Sequence, residues 1–183
     1  MSQATRVQFP REFLMPEAAM STSPGPITVA PGAGHSFYFG GLGVERKIDG
    51  CLTDQLFAVV HHPLAPRALA APLHYHHKED ELSYVVTGRL GLLLGEEVVI
   101  AHPGTWVFKP RHQWHTFWND GDEPCEIIEI ISPAGLENYF REVTVSWGNM
   151  ERFAEINQKY SLEMQFDSVP ELCRRFGVAF PPL

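Results

Sequence analysis

Positive charge is scarce in this chain: 14 Lys and Arg stand against 22 Asp and Glu, a formal net charge of -8. A surface of that sign repels a polyphosphate backbone, and no run of basic residues supplies a local exception. Nucleic acid is therefore not an expected partner. Cysteine is also sparse. Cys51, Cys125 and Cys173 are odd in number, widely spaced and without a C-x-x-C pair, which excludes a disulfide framework and a zinc knuckle. Long apolar runs are missing as well, because the most apolar stretch, residues 56–73, is interrupted by Arg67, two histidines and three prolines. With no basic segment leading into an apolar one at the N-terminus, neither export nor a membrane span is expected, and the cytoplasm is the default location. Internal repeats and low-complexity tracts are absent too.

What is present is enough for one domain with decorated ends, since 183 residues at 44% hydrophobic and 20% charged can bury a sizeable core. Residues 1–34 are rich in Pro and Gly and form an N-terminal arm. Residues 35–132 carry short strand-like runs separated by turn residues such as Thr87-Gly88, Pro103-Gly104 and the 119–122 segment NDGD. No helical crossover separates them, so an all-β, antiparallel sandwich or closed barrel is predicted. Residues 133–183 change to helical spacing. Leu136, Tyr139, Phe140 and Val143 share one face, Phe153, Ile156 and Tyr160 another, and a third helix is signalled by Ser168 as cap, Pro170 in the first turn and Gly177 as stop. Fifty residues of helix make no core alone and must pack on the barrel or on a second subunit.

The chemistry sits in the segment PLHYHHKEDELSYVVTG, residues 72–88. On a strand, residues two apart share a face, so His74 and His76 point together. Glu81 has the wrong parity for an unbroken strand. A turn at residues 77–80 lets it open the next strand facing the same point. Residues 104–119 bring the chain back, with a loop at 110–113 and an inward set of His115, Phe117 and Asn119. Three imidazoles and one carboxylate suit Fe(II), Mn(II), Ni(II), Co(II) or Zn(II) better than Ca or Mg, which prefer oxygen. An ionised Glu81 inside an apolar barrel also needs a cation, because burying a lone carboxylate is strongly unfavourable.

These residues resemble the two motifs of the cupin superfamily. The first is matched by His74, His76, Glu81 and Gly88, with Ala68 in place of the opening glycine. The second is matched by Gly104, Pro110, His115 and Asn119, with His112 in place of an internal glycine. The resemblance is to the single-domain, quercetinase-like (cupin type 2) branch. It implies a double-stranded β-helix, or jelly-roll, barrel with one divalent transition metal on His74, His76, Glu81 and His115. Pro110, Gly88 and Asn119 are then structural at the site. It further implies a dioxygenase acting on a small, aromatic or polyphenolic substrate, with Glu81 as catalytic base. A metal-dependent isomerase or decarboxylase fits the same ligands, as does a non-catalytic small-molecule-binding barrel. Phe117, on the ligand face, is the candidate substrate contact. His112 is a second one, against the plainer reading of an exposed loop histidine.

Several neighbours take bland roles. Lys78, Glu79 and Asp80 are expected in a solvated turn, Glu129 at an exposed edge, and whichever of His61 and His62 faces inward is expected to be structural. Finally, residues 82–86 are apolar on both faces, so cover is needed on both. The N-terminal arm, the C-terminal helices or a homodimer partner would provide it.

Overall fold

The computed structural model describes residues 25–181; the expected arm therefore lies outside the described residues except for its last ten positions. Among the described residues, eleven strands form two antiparallel sheets. The first sheet holds β1 (His35–Phe39), β2 (Leu42–Ile48), β3 (Ala58–Leu64), β10 (Cys125–Ser132), β5 (Asp80–Thr87) and β8 (Trp106–Lys109), in that order across it. The second runs β11 (Leu162–Gln165), β4 (Leu73–His76), β9 (His115–Asn119), β6 (Leu90–Leu94) and β7 (Glu97–Ala101). This is the predicted jelly-roll barrel.

Period-two alternation decides which side chains fill it. Ala58, Val60, His62 and Leu64 of β3 are buried, as are Cys125, Ile127, Glu129 and Ile131 of β10, while their neighbours lie nearer solvent. Strand β9 is buried along its whole length because both of its faces are covered. Inside are His115, Phe117 and Asn119; outside, Trp118 stacks on Phe176 at 3.9 Å between ring centroids. That stack requires Gly91 beneath it, since a Cβ there would lie 2.1 Å from the Trp118 ring.

Helices α1 (Glu137–Val145) and α2 (Met150–Lys159) lay Leu136, Tyr139, Val143, Phe153 and Ile156 into the barrel core. Helix α3 (Val169–Phe176) covers the outer face of the second sheet through Leu172. Its stop is the expected one, Gly177 at φ 63°. Its start is not. Ser168 already has helical dihedrals and caps nothing; its hydroxyl instead accepts from Leu73 N and donates to Gln165 O. Strand β11 was also not expected in a segment read as wholly helical, and it matters because it pairs with the strand that carries His74 and His76.

Tyr84 rests on Trp106, and Trp106, Phe108 and Val86 are exposed on the outer face of the first sheet, where β8 is an edge strand. The corresponding face of the second sheet is covered by α3, so the cover expected for residues 82–86 does not come from the described helices. We propose a second copy of this chain as the cover, two apolar strips meeting about a two-fold axis. Light scattering is expected to give a dimer for the native chain and a folded monomer for Trp106→Glu; a native monomer, or a variant that still dimerises, overturns this.

A candidate metal centre

The four expected ligands converge. His74 faces His115 across the β4–β9 pair, and a short turn after β4 returns Glu81 to the barrel interior near the start of β5. Ligand atoms from His74, His76, Glu81 and His115 all lie within 4.8 Å of one another, and all four residues are buried. The backbone fixes two tautomers. His74 Nδ1 lies 2.9 Å from Pro72 O and His115 Nδ1 lies 2.9 Å from Gln113 O. A carbonyl only accepts, so each Nδ1 carries the proton and each Nε2 keeps its lone pair for a metal. His76 gives the test of fit: both of its ring nitrogens are buried without a hydrogen-bond partner, and Nε2 is 3.7 Å from Glu81 Oε2. A metal ion in this cage would satisfy that nitrogen.

Electrostatics points the same way. Burial pushes the pKa of His74 well below its ordinary value, with His115 and His76 adding to it, and burial also lowers that of His115. Imidazoles kept neutral are the form that ligates. Burial alone would raise Glu81, but Lys109, His76 and His115 hold it well below the usual carboxylate range.

Lys109 was not singled out in the sequence. It is 1% exposed, with Nζ 2.9 Å from Glu81 Oε2, 3.0 Å from Glu129 Oε2 and 4.9 Å from the Phe117 ring centroid. Strand register explains the cluster: Glu81 pairs with Lys109 and Ser83 with Glu129, so adjacent strands β8, β5 and β10 deliver all of them inward. Its signal was parity with Val107 in WVFK. Two expectations are corrected here. Glu129 is not at an exposed edge but 1% exposed, Oε2 accepting from Ser83 and Lys109 while Oε1 has no partner. Burial raises it to about 7, Lys109 opposing and Glu81 reinforcing the shift. Glu79 is not solvated either: it is 5% exposed, its carboxylate 3.8 Å from His76 Nδ1, beyond hydrogen-bond distance.

The cluster opens into a cavity of about 70 Å³ lined by His62, His74, His76, Glu81, Phe117 and Glu129 from the barrel. Phe39 of β1 and a set of C-terminal side chains, Tyr139, Phe140, Trp147, Phe153 and Phe166 among them, complete the wall. Phe117 is thus where the sequence put it. His112 is not. It is exposed on the other side of β4, at φ 66°, with Nδ1 3.0 Å from Tyr75 OH, and it does not line the cavity. Asn119 does hold the turn, donating to Leu64, Ala65 and Glu123 carbonyls and accepting from Gly121 N. Gly88 at φ 80° turns the hairpin after β5, and Ala68 is not among the positive-φ residues, so its methyl group is tolerated.

The model of the cupin domain family matches residues 60–131. The barrel is a cupin domain. Solved structures similar to this cupin include a sugar phosphate isomerase of the cupin superfamily from Silicibacter pomeroyi, at 21% identity and TM-score 0.52 over 58% of this chain and 75% of that one. An oxalate decarboxylase matches at 20% identity and TM-score 0.50, over 55% of this chain and 28% of that one. KdgF from Halomonas sp. matches at 24% identity and TM-score 0.46, over 52% of this chain and 81% of that one. At such identities the first two likenesses show the fold alone. No curated protein matches the chain significantly.

Two outcomes follow. Elemental analysis is expected to find about one metal equivalent per chain, nearly all of it lost in His76→Ala because one ligand is then missing from the cage. Full occupancy in His76→Ala rules out this cage.

The second concerns acid and the metal-free protein. His62, lowered to about 4 by burial, and His74 and His115, also lowered, bind protons more weakly folded than unfolded. Each contributes stability that is lost as pH falls from the unfolded value of about 6.5 toward the folded one. Glu129, raised to about 7, acts in the opposite sense, adding stability as pH falls from 7 toward the ordinary carboxylate value. Three groups outweigh one. The thermal midpoint is expected to drop between about pH 6.5 and pH 4; a flat or rising midpoint there contradicts the burial of these imidazoles.

Proposed function

We propose that this cupin is a metal-dependent enzyme that moves a proton on a small, largely apolar, oxygen-bearing substrate, in the isomerase or decarboxylase class. One observation carries this. Glu129 lines the cavity beside the ligand cage with Oε2 held by Ser83 and Lys109 and Oε1 unpartnered. A divalent ion on His74, His76, Glu81 and His115 would supply Lewis acidity to a substrate oxygen. The chain supplies the rest. Glu129 holds or releases the proton at Oε1, and its pKa near 7 matches that task better than the carboxylate of Glu81, which the surrounding positive charge keeps ionised. Lys109 keeps both carboxylates in place, and the aromatic wall excludes water.

The barrel accommodates such chemistry, since proteins of similar fold include an isomerase and a decarboxylase. A phosphorylated substrate is not carried over with the fold, because no arginine or lysine is among the residues lining the cavity. The quercetinase-like dioxygenase is the second reading, favoured by the aromatic side chains that line the cavity.

The two separate in one experiment. Metal-loaded protein is incubated in D2O with a panel of 2-oxo acids, enols, catechols and flavonols, following C–H exchange, isomer formation and CO2 by NMR and O2 with an electrode. Turnover without O2 uptake is expected, tolerant of Zn(II) where the product is an isomer, and lowered about 100-fold or more in Glu129→Gln with metal retained. O2 consumed in step with product, under Fe(II) but not Zn(II), replaces this reading with the dioxygenase; binding without turnover replaces it with a non-catalytic barrel.

A further inference from the structure

His62 is a histidine of the cavity wall that belongs to neither the ligand cage nor the Lys109 pair. It sits inward on β3, 2% exposed. Its Nδ1 is 2.9 Å from Gly43 O. Because that carbonyl accepts, Nδ1 carries the proton and Nε2 is left as a pure acceptor. Nε2 has no hydrogen-bond partner among the described residues, yet the ring lines the cavity. The ring cannot turn away. It packs edge-on to Phe140 at 5.6 Å and tilted to Phe117 at 6.2 Å, so strand and helix both pin it. A histidine in an otherwise apolar wall offers the cavity a hydrogen-bond acceptor that a phenyl ring in the same place would not.

We propose that His62 is a specificity-determining contact: its Nε2 accepts a hydrogen bond from a hydroxyl or amine on the substrate. The substrate class is then a small ring-bearing molecule with an oxygen function for the ligand cage and a hydrogen-bond donor elsewhere on the ring. The proposal rests on the cavity being the substrate site. It adds to that reading which group the far wall recognises. Burial, which pushes His62 to about 4, keeps the ring neutral and accepting through the physiological range. Phe117 and Phe140 would flank the bound ring, and a substrate lacking the donor would leave Nε2 buried and unsatisfied.

The test uses metal-loaded full-length protein and three probes that differ only at the donor: benzoate, 3-hydroxybenzoate and 4-hydroxybenzoate, with affinities from calorimetry. The native chain is expected to bind at least one hydroxy compound about 10-fold tighter than benzoate, the size of one hydrogen bond to a buried group. In His62→Phe that preference vanishes while benzoate still binds; His62→Gln, whose amide oxygen can accept, retains part of it and serves as the folded control. Equal affinity for all three in the native chain overturns the proposal while leaving the cavity reading in place. A preference that survives in His62→Phe overturns it too. If none of the three binds, with metal occupancy verified, the cavity is not a site for such rings and both readings fall.

Discussion

Charge buried in hydrocarbon is the constraint on which this molecule turns. Glu81, Lys109 and Glu129 are all nearly inaccessible to water, and each alone would be strongly unfavourable there. Together with Ser83 they form one polar island, hydrogen-bonded except at Glu129 Oε1, and the register of three adjacent strands sets its geometry. The island also fixes where a metal can go, because it orients Glu81 toward His76 and His115 while leaving His76 unpartnered. Removing one member of such a cluster strands the others, typically at about 3–5 kcal/mol. Ligand geometry and fold stability are thus coupled through the same atoms.

The ligand set was legible because strand parity is strict. His74 and His76 share a face wherever the register lies, and a charged segment before Glu81 announces the turn that brings it round. Lys109 and Glu129 were written in the same code, in phase with Val107 and with Ile127 and Ile131, but a charged residue on a strand is ordinarily found at the surface. Only the pairing of β5 with both neighbours shows that the charges meet. Glu79 was hidden differently, in a charged turn where one carboxylate folds inward. His112 misled because it replaces a glycine of the motif; its backbone does keep the left-handed conformation that a glycine would adopt, but its side chain turns outward to Tyr75. Strand β11 was missed because Leu162 to Gln165 is a short stretch next to a helix, and no local signal says that a distant strand edge awaits it.

The two parts of the chain divide the work. The cupin domain supplies the cage and the polar island. Most of the aromatic wall comes from outside it, from β1 and from the segment after residue 131, where Tyr139, Phe140, Trp147, Phe153 and Phe166 lie. A barrel shared with proteins of other chemistries can acquire its own substrate preference this way, with the reactive centre left untouched and the walls rebuilt from the ends of the chain.

Strand β4 touches β9 through a single residue pair, His74 with His115, whereas β11 pairs with it along its whole length. Its neighbour thus lies far along the chain; His77 meets Glu163 across 86 positions. Until that distant segment is in place, one edge of β4 has no strand to pair with. The strand that carries His74 and His76 thus gains its full-length neighbour only from residues 162–165, outside the stretch that matches the cupin domain.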